Sequence, residues 1–223
     1  MFKAPSGKPE IKIWDIPTRL FHWLLVLAIF SCWLTMEMRW LDAHLYSGLF
    51  VLLLLTYRLI WGVIGARTAR FSDFVKWPWR AVRYLIKSFN KHDDYHAGHN
   101  PAGGWMVILF LVIILSQVIT GLFANDDVGF SGPLADLVIK ESSDTATHWH
   151  GLIFNILLGL IWIHLVIVFF YVLVKQQNLV KAMISGKKPV FQAGDIGKLF
   201  FVSNLRALAT LLFAIAIPLL LLW

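Results

Sequence analysis

The chain has 223 residues, of which 58% are hydrophobic, and its mean hydropathy is +0.69. Soluble domains are about 45–50% apolar, so these values exclude an ordinary soluble protein and indicate one helical membrane domain. The net charge of +7 does not indicate nucleic-acid binding, because the basic residues lie on one predicted side of a membrane. The single cysteine, Cys32, excludes an internal disulfide, a four-thiolate iron–sulfur site and a haem attached through a C-x-x-C-H motif.

Hydropathy predicts an all-α membrane protein. A polar segment, 1–19, precedes the first apolar run and argues against a cleavable signal peptide. Four spans are predicted at about 20–38, 44–64, 105–124 and 147–174. They are joined by a short turn, a long polar segment at 65–104 and a loop at 125–146. After a second basic segment, residues 207–223 form a fifth predicted span, which is at the lower length limit for crossing a bilayer and contains Pro218.

The basic residues predict the orientation of these spans. With the N-terminus in the cytoplasm, 18 of the 20 Lys and Arg residues lie on the cytoplasmic side, counting Arg58 near the cytoplasmic end of the second span, and only Arg39 and Lys140 are external. The external segments are then acidic. In the first cytoplasmic segment, apolar and basic residues interleave between Phe71 and Phe89, which predicts an interfacial amphipathic helix that begins near Pro78 and lies on the inner leaflet.

The fourth span contains three histidines, although ionisable groups inside a membrane segment are costly and mark functional sites. His150 and His164 are 14 residues apart. At 100° per residue they lie within about 40° of the same helix face, about 21 Å apart along the axis. His148 points roughly to the opposite side, and we interpret it as a headgroup-level residue. In predicted depth, His44 matches His150 near the outer surface, and His22 matches His164 near the inner surface.

Two pairs of imidazoles predict two b-type haems, since haem iron takes axial histidines and the macrocycle fits an apolar cavity between helices. With both axial positions filled, such a haem transfers electrons and does not bind substrate. Zinc is the alternative metal, but it requires three or four ligands, and each depth offers only two histidines without a nearby thiol or carboxylate. A structural role is the alternative for each histidine taken singly.

Other residues fit a haem site or an ordinary structural role. Small residues either admit a large cofactor or pack helices; they are Gly48, Gly121, Gly151 and Gly159. Basic residues near span ends either pair with haem propionates or extend to the interface; they are Arg19, Arg39 and Arg58. The histidines of the segment HDDYHAGH, which are His92, His96 and His99, either bind a metal or belong to a polar surface loop, and we favour the loop.

Four groups of residues occur together in this chain. They are Trp14-Asp15 with Arg19-Leu20-Phe21-His22-Trp23; His44-x-x-x-Gly48 with Arg58-x-x-Trp61; the run Gly98 to Gly104 with Thr120-Gly121-Leu122-Phe123; and His150, Asn155 and His164. In combination they resemble the bacterial cytochrome b-561 and nickel–iron hydrogenase cytochrome b subunit family. The resemblance covers roughly residues 11–190 and does not include the fifth span.

The resemblance implies a four-helix bundle with two b haems, whose axial ligands are His22, His44, His150 and His164. Many relatives have Glu directly after the first histidine of the fourth span, whereas this chain has Gly151. The choice of His150 over His148 therefore depends on its helical phase with His164.

The resemblance also implies quinone chemistry near the inner haem, at the start of the third span. Asn100 would hydrogen-bond to a quinone carbonyl, and Gly103 would let the ring approach closely. Asn-Pro and Gly-Gly are also ordinary helix-breaking pairs, so a plain turn is the alternative.

We expect a di-haem cytochrome b of the bacterial inner membrane that carries electrons between the quinone pool and a periplasmic redox protein. A basic c-type cytochrome would fit the acidic 125–146 loop. One alternative is an outer haem edge that acts directly on superoxide or a metal ion, and another is a non-redox subunit or transporter. No residue is assigned a catalytic role. Both a subunit of a larger complex and a homodimer, surrounded by lipid, are compatible with the sequence.

Overall fold

The computed structural model describes residues 10–88, 98–189 and 202–221. A two-stranded antiparallel sheet joins β1 (Glu10–Lys12) to β2 (Lys187–Pro189), with Ile11 opposite Lys188. The helices are α1 (Ile16–Glu37), α2 (Leu41–Ile64), α3 (Phe71–Phe74), α4 (Pro78–Ser88), α5 (Pro101–Phe123), α6 (Lys140–Leu173), α7 (Leu179–Ser185) and α8 (Asn204–Leu220). A 3-10 turn covers Ala135–Leu137.

Four helices, α1, α2, α5 and α6, are long and apolar enough to cross a membrane. They confirm the prediction of a helical membrane protein with four main spans. Helix α8 is apolar but has 17 residues, so the fifth span stays a prediction. The predictions on Phe89, His92, His96 and the end of the chain at 222–223 fall outside the described residues.

The long helices begin earlier than the apolar runs, because capped polar turns precede them. At the start of α1, the Asp15 carboxylate accepts a hydrogen bond from the Thr18 amide at 2.9 Å. At the start of α5, the Asn100 side-chain oxygen accepts one from the Gly103 amide at 2.6 Å, and Pro101 occupies the first helical position. Helix α4 begins at Pro78, as the sequence predicts.

The prediction of a loop throughout 125–146 is wrong for its last seven residues, since α6 begins at Lys140. Lys140 forms an ion pair with Asp144, one helical turn later, at 3.0 Å. Glu141 lies in the first turn, where a negative charge is favourable. Hydropathy locates the edge of the apolar region, whereas these polar contacts extend the helix beyond that edge.

The chain divides into two compact units. The first comprises Met1–Leu20, Ile60–Leu109 and Ile161–Ala207, and the second comprises Phe21–Leu59, Phe110–Leu160 and Leu208–Trp223. In the first unit, Ile13 and Trp14 pack against Ala182 of α7. The other Asp15 carboxylate oxygen accepts a hydrogen bond from the Trp61 indole at 3.0 Å. These contacts fix the chain at the entry to α1.

In the second unit, the segment between α5 and α6 is held by its own polar groups. The Asp126 carboxylate accepts hydrogen bonds from the amides of Val128, Gly129 and Phe130 at 2.8–3.0 Å. The Asn125 side chain donates to the Ser143 hydroxyl at 2.6 Å. The connection therefore has a defined conformation against the start of α6.

Candidate functional site

Two of the predicted ligands, His44 and His150, lie close together in the second unit. Their ring centroids are 6.1 Å apart and their planes are inclined at 86°. His44 lies in the first turn of α2, His150 lies on α6, and both side chains are half-buried. The structure therefore brings together the two histidines that the sequence pairs at one depth. They are called the His44/His150 pair below.

Both imidazoles are held through Nδ1. His44 Nδ1 donates to the carbonyl oxygen of Cys32 at 2.8 Å. His150 Nδ1 donates to the carbonyl oxygen of Gln117 at 2.9 Å, and the Thr120 hydroxyl lies 3.3 Å from the same nitrogen. Because a carbonyl oxygen only accepts, these bonds assign the ring proton to Nδ1 in both residues. Each Nε2 is left with a lone pair, which is the form that binds a metal.

The spacing of the pair fits two axial ligands of one haem iron. An imidazole nitrogen binds a metal at about 2 Å and lies about 1 Å from its ring centroid, so two axial imidazoles have centroids about 6 Å apart. The observed 6.1 Å agrees with this value. Beside the pair, a Cβ added at Gly48, one turn after His44 on α2, would meet no atom within 4 Å. The residues present thus fit a bis-imidazole haem.

Gln117 is a part of this site that the sequence interpretation missed. Its side-chain nitrogen lies 3.2 Å from His150 Nε2, on the lone-pair side of the ring. Its side-chain oxygen is buried and has no hydrogen-bond partner among the described residues. The amide therefore lies against the nitrogen predicted to bind iron, and it would have to rotate aside if iron were bound there. A sequence signal was available, since Gln117 is a polar residue within a strongly apolar span.

Gly121 allows the His150 ring to lie against α5. A Cβ at this position would be 2.8 Å from His150 Cε1 and 3.1 Å from Nδ1. These separations are too short for ordinary van der Waals contact. The glycine therefore provides space for the His150 ring, and the expectation that it admits a cofactor stays a prediction.

The alternative ligand on α6, His148, has a different environment. Its side chain is exposed, and its ring lies beside the neighbouring Trp149 ring at 6.3 Å. His150, two residues later, carries the hydrogen bonds to α5, and its ring lies close to that of His44. This geometry supports the choice of His150.

The predicted inner ligands belong to different units. His22 is in the second unit and His164 is in the first, and both are half-buried. The His22 ring is in edge contact with the Trp23 ring at 4.9 Å. The assignment of His22 and His164 to a common haem stays a prediction from their matched depth in the sequence.

Two of the three arginines considered for haem propionates, Arg19 and Arg58, have different surroundings. Arg19 donates to the carbonyl oxygen of Ile184, where it lies against Gly186 in the first unit. Arg58 is 2% exposed and lies in the second unit, with its guanidinium 5.9 Å from the centre of the Phe21 ring. Arg19 thus anchors local chain structure, and Arg58 is a buried cation beside Phe21, the residue that precedes His22.

The predicted quinone residues form a capped helix start. The Asn100 side chain accepts from the Gly103 amide at 2.6 Å and donates to the Tyr171 hydroxyl at 3.1 Å. The Tyr84 hydroxyl lies 3.0 Å from the same Tyr171 oxygen. Both ends of the Asn100 amide are therefore engaged. Because the amide nitrogen has two N–H groups, a quinone carbonyl would either accept from the second N–H or replace Tyr171 on the first.

His99 lies within an aromatic cluster of the first unit. Its ring centroid is 4.6 Å from that of Trp14 and 4.6 Å from that of Phe74. Among residues 10–88, 98–189 and 202–221, no group of three or more His, Cys, Asp or Glu side chains is arranged to hold a metal ion.

Comparison with known proteins adds a family assignment to this geometry. The family model of prokaryotic cytochrome b561 matches residues 13–186. Searches of curated proteins and of solved structures gave no match. The match begins at the Ile13–Trp14 cluster, ends at the Gly186 turn and includes all four predicted ligands. The chain therefore belongs to the prokaryotic cytochrome b561 family, a family of membrane-integral proteins in which b haems transfer electrons across the membrane.

Proposed function

We propose that this protein carries electrons across the bacterial inner membrane through two b haems. One haem would be held by His44 and His150, and the other by His22 and His164. The observation that carries the proposal is the His44/His150 pair, whose ring centroids are 6.1 Å apart with both Nδ1 atoms bonded to backbone carbonyls. A bound b haem would supply one-electron redox chemistry at this pair.

The protein groups around the pair hold the ligands and limit their reactivity. The carbonyl oxygens of Cys32 and Gln117 fix the ring orientation and increase the basicity of each Nε2. His44 and His150 would together hold the iron of a b haem, and that haem would supply one-electron transfer at this site.

The proposed orientation has the N-terminus in the cytoplasm, because that arrangement leaves Arg39 and Lys140 as the only external basic residues. The His44/His150 pair is then the outer site. A basic periplasmic protein, such as a c-type cytochrome, fits the acidic external segments. Quinone is proposed as the partner of the inner site, near Asn100 and Gly103.

A direct test compares two histidines on the same helix. Replacing His150 by Ala should remove about half of the haem, because one of two bis-imidazole sites loses an axial ligand. His148→Ala is the matched control and should keep both haems, since this side chain is exposed. Haem per chain is measured from the pyridine haemochrome spectrum. Retention of both haems by the His150→Ala protein would refute the assignment of this site.

A second function, direct reaction at an outer haem edge, is favoured by one observation. A groove beside the start of α2 is lined by Arg39, Trp40, Asp42, Asp126 and Phe130. The carbonyl oxygen of Trp40 accepts a hydrogen bond from the His44 amide at 2.9 Å. A small anion or metal ion could approach the site through this groove. After reduction by dithionite, reoxidation by superoxide or a ferric chelate would support this function, whereas reoxidation by a quinone analogue alone would support the first.

A further inference from the structure

Helix α4 has one face that packs on the protein. Ala81 and Ser88 are buried and Tyr84 is half-buried. The Tyr84 hydroxyl lies 3.0 Å from the Tyr171 hydroxyl, and the Ser88 hydroxyl lies 3.5 Å from it. At 100° per residue these three positions lie within about 60° of one another around the helix. The helix is therefore held in one rotational setting.

The rest of α4 is divided into an apolar sector and a basic sector. The apolar sector covers about 120° of the helix and the basic sector about 60°. The members of the apolar sector are large and exposed. Trp79 is 73% exposed and Ile86 is 69% exposed, and Val82 and Leu85 complete this sector. The basic sector consists of Arg80, Arg83 and Lys87, all exposed. Because the packed face fixes the rotation, both sectors point away from the protein.

A shallow groove follows the boundary between the two sectors. It is lined by Trp79, Val82 and Ile86 on the apolar side and by Arg83 and Lys87 on the basic side. Arg83 and Lys87 are one turn apart, and neither forms an ion pair in the parts of the chain that the structure describes. Two cations beside an apolar wall match the chemistry of a headgroup phosphate joined to an acyl chain.

We propose that this groove binds an anionic phospholipid of the leaflet on which α4 lies. Arg83 and Lys87 contact the headgroup phosphate, and Trp79, Val82 and Ile86 contact the acyl chain. The charge pattern favours a lipid over an acidic protein or a nucleic acid, because the apolar residues are continuous with the basic ones and include an exposed tryptophan, as in helices at the membrane interface. The lipid would clamp α4 to the membrane while the Tyr84–Tyr171 contact clamps it to α6.

The test measures phospholipid binding to the full-length purified protein in a neutral detergent by native mass spectrometry. Phosphatidylglycerol is the probe, and phosphatidylcholine and inorganic phosphate are the comparison ligands. Phosphatidylglycerol should bind at least tenfold more tightly than phosphatidylcholine. The Arg83→Gln/Lys87→Gln double variant should lose about twenty-five-fold in phosphatidylglycerol affinity, since each basic residue near an anionic lipid contributes roughly fivefold.

The matched control is the double variant Lys181→Gln/Lys187→Gln. It removes the same charge from two exposed positions of α7 and β2, which lie outside the groove. It should keep the wild-type preference for phosphatidylglycerol. Trp79→Ala should weaken phosphatidylglycerol and phosphatidylcholine alike, which separates the apolar wall from the phosphate contact.

Three results would overturn the proposal. The first is equal affinity for phosphatidylglycerol and phosphatidylcholine. The second is displacement of phosphatidylglycerol by inorganic phosphate at an equal concentration, which would make the groove a site for a free anion. The third is an equal loss of affinity in the groove variant and in the control variant, which would show that only total charge matters.

Discussion

Replacing Gly121 by Ala should selectively weaken the His44/His150 site. The added Cβ would lie 2.8 Å from His150 Cε1, whereas nonbonded carbon atoms prefer about 3.5 Å, so the ring has to move by about 0.7 Å. The bond from His150 Nδ1 to the Gln117 carbonyl is 2.9 Å. A retreat along that bond lengthens it to about 3.6 Å, at which it is no longer a hydrogen bond.

Loss of a bond that orients a metal-binding histidine typically reduces metal affinity by about 10- to 100-fold. The Gly121→Ala protein should therefore lose haem from one site during purification or dilution, while the other haem stays bound. Haem per chain and the rate of transfer to apomyoglobin provide the measurement. Full haem retention with an unchanged transfer rate for both haems would refute the reasoning.

Three further predictions follow from other parts of the structure. Gly48→Leu should lower haem content by about half, because the leucine would fill the open space beside His44. The control is Gly159→Leu, at an equally open but exposed position on α6, and this variant should retain haem. Equal loss of haem in both variants would contradict the prediction. Tyr171→Phe leaves the Asn100 side-chain N–H without its acceptor and should lower the free energy of unfolding by about 1–3 kcal/mol, which a denaturant titration would detect as a lower midpoint. Three backbone N–H groups hold the pKa of Asp126 below its usual range, so their stabilising effect is present above the unfolded-state pKa of about 3.9 and is lost as the pH falls below it. The protection of these amides against hydrogen exchange, relative to the intrinsic exchange rate at each pH, should fall upon acidification below about pH 4 and should also fall in Asp126→Asn at neutral pH; unchanged protection in the variant would show that the carboxylate charge does not hold the loop.

The main helices could be predicted because membrane helices must satisfy every backbone hydrogen bond within apolar segments, which hydropathy detects. Their ends were less predictable. Lys140 and Asp144 extend α6 through an ion pair, but a hydropathy profile reads these two charged residues as part of a loop. Asp15 and Asn100 similarly add capped turns to α1 and α5. Such ends are set by side-chain hydrogen bonds of one or two residues, which weigh little in an average over a span.

The sequence predicted that His44 and His150 lie close together, but it did not predict the groups that hold them. Helical phase and depth select His44 and His150, and the structure brings their rings to 6.1 Å. The carbonyl oxygen of Cys32 has no sequence signal as a hydrogen-bond acceptor, since every residue has such a group. Gln117 did have a signal, because it is a polar amide in an apolar span. Its contact with His150 shows that a polar residue within a span can indicate a functional site.

The central claim is that one chain holds two b haems, each between two histidines. It is tested most directly by measuring haem per chain in the purified full-length protein together with a spectroscopic redox titration. The account predicts two haems per chain and a titration that requires two one-electron components with low-spin b-type spectra. One haem per chain with a single component, or a protein without a Soret band, would contradict it.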